Sequence, residues 1–199
     1  LGAVDIPINQ VITILLGQEA EKTTWTSIIF KFRLPKALTA ILAGGALGVS
    51  GLQMQTLFKN PLAGPFVLGI SSGASLGVAL VLLTASVTTP TLLNDLGIIG
   101  DFSLVTAASF GAASVLGLML VVSRRVQDTM TLLILGLLFG YATSAMVSIL
   151  LQFSSKERIQ SYIMWTFGSF TGVTWQQLAI LTPVIGVGLL TVSYTHLTL

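Results

Sequence analysis

The sequence predicts an all-α, polytopic membrane protein, and three observations lead to that prediction. Of its 199 residues, 53% are hydrophobic and only 8% are charged, whereas soluble domains carry about 25% charged residues. The mean hydropathy is +0.93. The apolar residues form long uncharged runs that contain small residues at helical spacing, which is typical of helices packed in lipid. A soluble fold could not bury so much apolar surface.

Five apolar runs are long enough to cross a bilayer as helices. A helix rises about 1.5 Å per residue, so roughly 20 residues cover the apolar core of a membrane. Polar or charged segments separate the runs. The sequence therefore predicts five complete membrane-spanning helices, at about residues 37–57, 66–84, 103–123, 132–152 and 177–192.

Residues 1–32 precede the first span and contain one short apolar run, Val11–Gly17. This run is too short to cross a membrane, and charged residues surround it, which predicts a short interfacial or extramembrane helix. Trp25, Phe30 and Phe32 follow it, and aromatic residues are enriched at membrane surfaces. The whole segment is predicted to lie outside the hydrocarbon core.

Three basic residues, Lys31, Arg33 and Lys36, gather where the first span begins. Pro35 suits the first turn of that helix, where its missing N–H costs nothing. The residues alone leave two interpretations equally open. The basic side chains either anchor the helix among lipid headgroups or form a docking patch for the acidic surface of a partner protein.

The first two spans carry glycines three or four residues apart, so that each set shares one helix face. In lipid, such faces allow helix backbones to approach closely. The two spans are therefore predicted to form a tightly packed helix pair. The glycines concerned are Gly44, Gly48 and Gly51 in the first span and Gly69, Gly73 and Gly77 in the second.

A polar hinge, KNPLAGP, connects these two spans. Asn60 before Pro61 indicates a turn, and Pro65 is predicted to open the second helix. Together with Gly64, these residues form the predicted hinge. It is either a plain interhelical turn or a segment whose polar groups bond across helices and line a polar path.

The later elements follow in the same way. A polar link at 84–101 leads into the third span, and a charged turn at 124–131 leads into the fourth. A short amphipathic helix is predicted within 159–167, before the last span. The hinge at 59–65 and the turn at 124–131 together hold three basic residues in about 15, whereas the other connections hold six in about 78. The raw count opposes the positive-inside rule, but the density agrees with it, so both segments are predicted to be cytoplasmic. The cluster of Lys31, Arg33 and Lys36 is then an external exception. Residues 193–199 alternate polar and apolar side chains, and we expect a non-native tail there on a piece of a longer protein.

Several chemistries find little support in the sequence. It has no cysteine and one histidine, His196, so neither a metal centre nor a cofactor is expected. The net charge of +2 is too small to indicate a nucleic-acid partner. Residues 69–73 match the G-x-S-x-G motif, but that motif needs a strand-to-helix turn and a histidine base. An intramembrane serine hydrolase at Ser71 is therefore a minor alternative. No acidic residue lies well inside a span, which disfavours an ion-coupled secondary carrier.

The stretch from Arg33 to Leu80 resembles a known family. Its segments RLPK, GALGVSGLQMQ and KNPLAGPFVLGISSGAS resemble the permease subunits of ABC importers for iron-siderophores, haem and cobalamin. The later segments RR, LLILG and SYIMWTFGSFTGVTW occur in the family's order and spacing. The resemblance covers about residues 1–192.

This resemblance implies a ten-helix subunit, of which the five predicted spans are the second to sixth helices. It implies a second permease subunit, two ATP-binding subunits and an external substrate-binding protein, assembled at the bacterial cytoplasmic membrane. ATP hydrolysis would take place on a partner chain, so this chain is not expected to be an enzyme. The expected substrate is an iron(III)-siderophore or related metal chelate. A haem or cobalamin importer of the same family is the alternative, and an ATP-independent secondary carrier is a rival.

The resemblance also implies roles for particular residues. Arg33 and Lys36 match two basic positions that face acidic residues of the binding protein, although Lys36 replaces an arginine and lacks its planar fork. The turn before the fourth span resembles the cytoplasmic gate, which is expected at Asp128, Thr129 and Met130. The pathway candidates, chosen by location alone, are Tyr141, Ser144, Tyr162 and Trp165.

Overall fold

The computed structural model describes residues 4–84, 97–126 and 128–197. Most of the predicted polar link at 84–101, and the last two residues of the predicted tail, lie outside the described part. The helices, numbered in chain order, are α1 (Ile8–Leu15), α2 (Thr23–Ile28), a π-helical turn (Ile29–Arg33), α3 (Leu34–Phe58), α4 (Ile70–Thr84), α5 (Gly97–Ser123), α6 (Thr129–Gln152), α7 (Lys156–Phe167) and α8 (Trp175–Leu197).

Within the described residues, four helices are long and apolar enough to cross a membrane: Thr23–Phe58, Ser103–Ser123, Thr129–Gln152 and Trp175–Tyr194. This confirms the predicted class, an all-helical polytopic membrane protein. The predicted second span differs from the expectation. Its helix, α4, is described from Ile70 to Thr84, so it begins four residues later than the predicted start near residue 66.

The late start of α4 has a local cause in the hinge. Pro65 was expected to open the helix. Instead, Val67 N–H donates to the Gly64 carbonyl at 3.3 Å, and Gly69 N–H donates to the Phe66 carbonyl at 3.0 Å. These are turns rather than helix. Gly69 then adopts a positive φ of 74°, a conformation that a right-handed helix cannot include. The helix therefore begins only at Ile70.

The described residues group into two compact units. One comprises Leu1–Val49 with Ser169–Leu199, and the other comprises Ser50–Gly168. In the second unit α4 is the central helix, and it packs on α5, α6 and α7. Within this unit α4 makes its most extensive contact with α5, and the predicted packing of α4 on α3 stays a prediction.

Glycines explain why α4 and α5 approach so closely. A Cβ placed on Gly73 would lie 2.6 Å from the Gly111 carbonyl oxygen, and one placed on Gly77 would overlap the carbonyl oxygen of Ala107. In the turns that precede α4, the Val67 carbonyl oxygen would lie 2.7 Å from a Cβ placed on Gly136 of α6. The helices thus meet backbone to backbone, which is how small residues hold helices together in lipid.

The glycines of α3 have different surroundings. Among the described residues, a Cβ built on Gly44 or Gly48 meets no atom within 4 Å, and one on Gly51 meets only Pro65 Cδ at an ordinary 3.8 Å. Close helix packing at Gly44 and Gly48 therefore stays a prediction.

The hinge begins with a capped helix end. Asn60 N–H donates to the Gln55 carbonyl at 3.1 Å, and Lys59 N–H donates to the Thr56 carbonyl at 3.3 Å. This is the Schellman pattern, in which the residue just past the helix takes the left-handed conformation. That residue is Lys59, with φ of 47°, where glycine is usual. The Asn60 carboxamide then accepts from Leu62 N–H at 2.9 Å, and Gln55 Nε2 donates to the Pro61 carbonyl at 2.9 Å.

We expect Lys59→Gly to stabilise the protein, because a side chain in the left-handed region costs about 1–2 kcal/mol and glycine gives part of this back as extra freedom of the unfolded chain. The net gain should be roughly 1 kcal/mol. It can be measured as a rise of a few degrees in the melting temperature of the detergent-solubilised protein. Lys59→Ala is the matched control, since alanine retains the Cβ. An equal gain from alanine would contradict the explanation.

The ends of two other helices differ from the prediction. α7 begins at Lys156 rather than near residue 159, and α8 continues to Leu197. The polar alternation after residue 192 was expected to break the apolar helix. The stretch 193–197 contains no glycine or proline, so nothing in it forces the helix to end.

Two hydrogen bonds organise the first unit around the π-helical turn. The indole Nε1 of Trp175, at the start of α8, donates to the Phe30 carbonyl at 2.8 Å. The Arg33 guanidinium donates to the carbonyl of Val4. The N-terminal segment and the start of α8 are thus both attached to the residues that lead into α3.

Candidate functional site

A polar cavity of about 340 Å³ lies in the second unit, between α4, α6 and α7. Six of its seven lining residues carry a hydroxyl group, and none is charged. They are Ser71, Ser72, Ser75, Ser144, Val147, Ser148 and Tyr162. Because a hydroxyl both donates and accepts hydrogen bonds, the cavity suits neutral polar groups rather than ions.

A second cavity, of about 170 Å³, continues from the first toward the start of α4. The two share Ser72 and Ser144 as lining residues. The second is lined by Phe66, Val67, Gly69, Ser72, Gly136, Leu137, Gly140, Tyr141 and Ser144. Together they form a groove, here called the serine groove, that runs from the hinge end of α4 to α7.

The helices fix the serines on the groove by simple spacing. Ser71 and Ser75 lie four residues apart on α4, and Ser144 and Ser148 lie four apart on α6, so each pair shares a helix face. Ser144 Oγ donates to the Gly140 carbonyl at 2.8 Å, and Ser148 Oγ donates to the Ser144 carbonyl at 3.0 Å. The hydroxyl hydrogens of Ser144 and Ser148 are thus used within α6, while their oxygen atoms can still accept hydrogen bonds from a molecule in the groove.

Sequence reasoning identified only part of this groove. Ser144 was named as a pathway candidate, but Ser72, Ser75 and Ser148 were not. Ser71 was considered only as a nucleophile. The repeated four-residue spacing of serines on two apolar helices was the signal that could have identified the groove. The groove's lining residues include no base for Ser71, so they do not provide the chemistry of a hydrolase.

The structure brings three of the four pathway candidates to the lining of the serine groove, and their role in a transport pathway stays a prediction. Tyr141 and Ser144 line its smaller cavity, and Ser144 and Tyr162 line its larger one. Trp165 stacks on Tyr162, with ring centroids 6.4 Å apart and planes inclined by 27°. Tyr141 is 72% exposed, whereas Tyr162 is only 7% exposed. Tyr162 is therefore a fixed part of the wall, and Tyr141 projects away from the core.

The wall beneath the groove is a packed apolar cluster. Its buried members are Val78, Ala79, Leu83, Val147 and Tyr162. Arg158 of α7 adds a long hydrogen bond of 3.4 Å from Nη1 to the Leu83 carbonyl. A second cluster, of Phe58, Ala63, Leu68 and Met119, supports the hinge end. Both ends of the groove are thus backed by side chains that exclude water.

The predicted gate residues form the start of α6. Asp128 is its N-cap, and one carboxylate oxygen accepts from Thr131 N–H at 2.8 Å and from Thr131 Oγ1 at 2.6 Å. These two bonds, the hydroxyl first, hold the pKa of Asp128 below its usual value. Thr129 is half-buried and Met130 is exposed. The geometry assigns Asp128 a definite role as a helix cap, and a gate at these residues stays a prediction.

We expect Asp128→Ala to lower the melting temperature at pH 7, because the two hydrogen bonds that Asp128 accepts from Thr131 are lost. Since the folded pKa of Asp128 is lowered, its stabilisation is present above the ordinary value of 3.8 and is lost as the pH falls through the folded value. The difference between variant and parent should therefore shrink in acid. Melting curves recorded from pH 7 down to pH 3 test this, with Thr131→Val as a milder variant that retains the N–H donor. A difference that did not change with pH would contradict the assignment.

The predicted docking residues lie in the first unit, at the start of α3. Arg33 ends the π-helical turn and is half-buried, with its guanidinium on the Val4 carbonyl. Lys36 lies three residues later, on the same face of the helix, and is exposed. Of the two, only Lys36 presents its charge without a bond to the chain's own backbone among the hydrogen bonds described. No group of three or more potential metal ligands occurs among the described residues.

Comparisons with known proteins agree on one family. The model of the FecCD transport family matches residues 1–198. The vitamin B12 import system permease protein BtuC of Klebsiella pneumoniae subsp. pneumoniae is 35% identical over 159 residues, covering 80% of this chain and 45% of that protein. BtuC of Citrobacter koseri is 34% identical over 161 residues, covering 81% and 46%. The chain spans a little under half the length of these relatives.

A solved structure is also similar. It is described as a metal-chelate type ABC transporter in an inward-facing conformation, and it aligns with a TM-score of 0.68 and 26% sequence identity. The alignment covers 86% of this chain and 54% of the matched chain.

Proposed function

Because this chain belongs to the FecCD transport family, we propose that it is part of the membrane-spanning subunit of an ABC importer whose substrate is cobalamin. The observation that carries the substrate is the similarity to vitamin B12 permeases, at 34–35% identity over some four fifths of the chain. These relatives favour the cobalamin alternative over the iron-siderophore that the sequence first indicated.

The serine groove supports the choice of cobalamin. A corrin carries many neutral amide arms, and neutral hydroxyls are suitable partners for amides. An anionic ferric chelate would instead call for basic side chains, and the groove's lining residues include none. At about 340 Å³ the larger cavity is too small for the macrocycle, so the groove would contact its periphery.

The proposed assembly has two permease subunits, two ATP-binding subunits and an external binding protein, in the bacterial cytoplasmic membrane. The binding protein would dock through Arg33 and Lys36. ATP binding by the partner subunits would shift the helices, and the substrate would leave past Asp128–Met130. The backbone contacts between α4 and α5 suit such a shift, because flat glycine surfaces interlock little.

Uptake by the full-length permease, expressed with its ATP-binding and binding-protein partners, tests the proposal. We expect ATP-dependent accumulation of radiolabelled cobalamin that excess unlabelled cobalamin abolishes. Accumulation of radioactive iron from a siderophore, without cobalamin uptake, would overturn the substrate and favour the metal chelate named for the similar structure. Uptake into proteoliposomes without the ATP-binding subunits would favour the secondary carrier.

Labelling with a serine-reactive probe tests the remaining alternative, an intramembrane serine hydrolase at Ser71. We expect no labelling that depends on Ser71. Labelling that is lost in Ser71→Ala would favour a hydrolase.

A further inference from the structure

Helix α1 exposes an apolar face. Ile8 is 80% exposed, Ile12 53%, Leu15 52% and Leu16 72%. Their spacing of four, seven and eight residues puts all four on one side of the helix and its final turn. A short helix at a water-facing surface would turn such side chains inward.

The other sides of α1 are already used by the protein. Ile14 is 1% exposed, so it seats the helix on the rest of the unit. The Gln10 side-chain oxygen accepts from Glu21 N–H at 3.2 Å, and Thr13 Oγ1 donates to the Asn9 carbonyl at 2.9 Å. The helix is thus seated through Ile14 and its polar groups, and its aliphatic face points outward.

The attachment of the N-terminal segment places α1 near a membrane surface. The Arg33 guanidinium binds the carbonyl of Val4, only four residues before α1, and the membrane-spanning helix α3 begins at Leu34. Phe30 and Phe32 are exposed at the same end of α3, and the Lys22 ammonium lies 5.1 Å from the centre of the Trp25 ring. Exposed aromatics and snorkelling lysines are typical of the membrane–water interface.

We propose that α1 is an interfacial membrane helix, which lies in the plane of the bilayer surface at the Arg33 end of α3 with Ile8, Ile12, Leu15 and Leu16 in the headgroup–acyl boundary. The occupant of this face is lipid rather than a protein. The face is wholly aliphatic, whereas protein interfaces are enriched in aromatic residues and arginine.

The function of this helix follows from its attachment. With α1 held in the interface, the Val4 carbonyl stays beside Arg33, so the bilayer surface helps to fix the position of a residue that is proposed to dock the binding protein.

Site-directed fluorescence on the full-length permease tests the proposal. Ile12→Cys and Thr13→Cys, in a cysteine-free background, are labelled with NBD and reconstituted in vesicles of phosphatidylcholine and phosphatidylglycerol. Adjacent residues lie about 100° apart around a helix. The two labels are therefore at nearly the same position along the axis of α1 but on different faces of it. The Thr13 hydroxyl donates to the Asn9 carbonyl within α1, so replacing this side chain breaks no described hydrogen bond to another element.

We expect lipids that carry a nitroxide near the headgroup to quench NBD at position 12 at least about three times as strongly as at position 13, and aqueous iodide to show the reverse order. Equal quenching at the two positions would overturn the proposal. So would a label at position 12 that is quenched by iodide and shielded only when the binding protein is added, because the face would then dock protein. Size-exclusion profiles identical to the parent confirm that both labelled variants are folded.

Discussion

Replacing Gly77 with valine is expected to separate α4 from α5 and leave the protein without a stable fold in detergent. Even a single Cβ at this position would overlap the Ala107 carbonyl oxygen, and the obstructing atom is backbone, which cannot rotate away. Inserting carbon atoms into a packed interior typically costs about 1–3 kcal/mol, and a clash with backbone should cost roughly 3 kcal/mol or more. Fluorescence-detected size exclusion after heating measures the loss.

Gly117→Val is the matched control for this experiment. Gly117 lies on the same helix as Gly111, and a Cβ there meets no described atom within 4 Å. The Gly117→Val variant should therefore retain the parent's melting temperature within a degree or two. Gly73→Ala should be intermediate, since its Cβ would lie 2.6 Å from both the Gly111 carbonyl oxygen and Val115 Cγ2. If Gly77→Val and Gly117→Val melted together, the backbone contact would not be holding the helices.

Reversing the charge of Lys36 is expected to weaken uptake by impairing the docking of the binding protein. Lys36 is exposed at the start of α3, where its ammonium can attract an acidic surface. Lys36→Glu should raise the binding-protein concentration needed for half-maximal uptake by roughly tenfold, since charge reversal at an interface slows association and adds repulsion. The effect should shrink at high salt because the pair is screened.

Lys36 is a sharper choice than Arg33, because Arg33 also binds the Val4 carbonyl and its loss would disturb the N-terminal segment. Lys22→Glu is the matched control. Lys22 is exposed in the same unit, but its ammonium lies over the Trp25 ring and it is not one of the predicted docking residues. Restored uptake with a binding protein whose acidic docking residue is changed to lysine would establish the pairing. Unchanged uptake by Lys36→Glu at every binding-protein concentration would remove Lys36 from the docking surface.

The long apolar runs predicted α3, α5, α6 and α8 well, because lipid requires continuous helices of a known length. The start of α4 was not predictable in the same way. Hydropathy does not report backbone angles, and the positive φ of Gly69 interrupts a run that is apolar on both sides.

The pairing of helices was harder to predict than the helices themselves. Gly73 and Gly77 form a face that any helix with small residues could match, and the sequence does not say that Gly111 and Ala107 provide the match. The serine groove was missed for the same reason. Ser71 and Ser75 on α4 come to face Ser144 and Ser148 on α6 only once these helices are packed together. Tyr162 was named by location and proved to be part of the groove wall.

The turns that precede α4 have a consequence for how the protein enters the membrane during synthesis. They leave backbone groups before Ile70 that lipid cannot satisfy. The glycines that pack against these turns and against α4, which are Gly111 on α5 and Gly136 and Gly140 on α6, are translated later. We therefore expect the start of α4 to reach its final packing only after α5 and α6 have been synthesised.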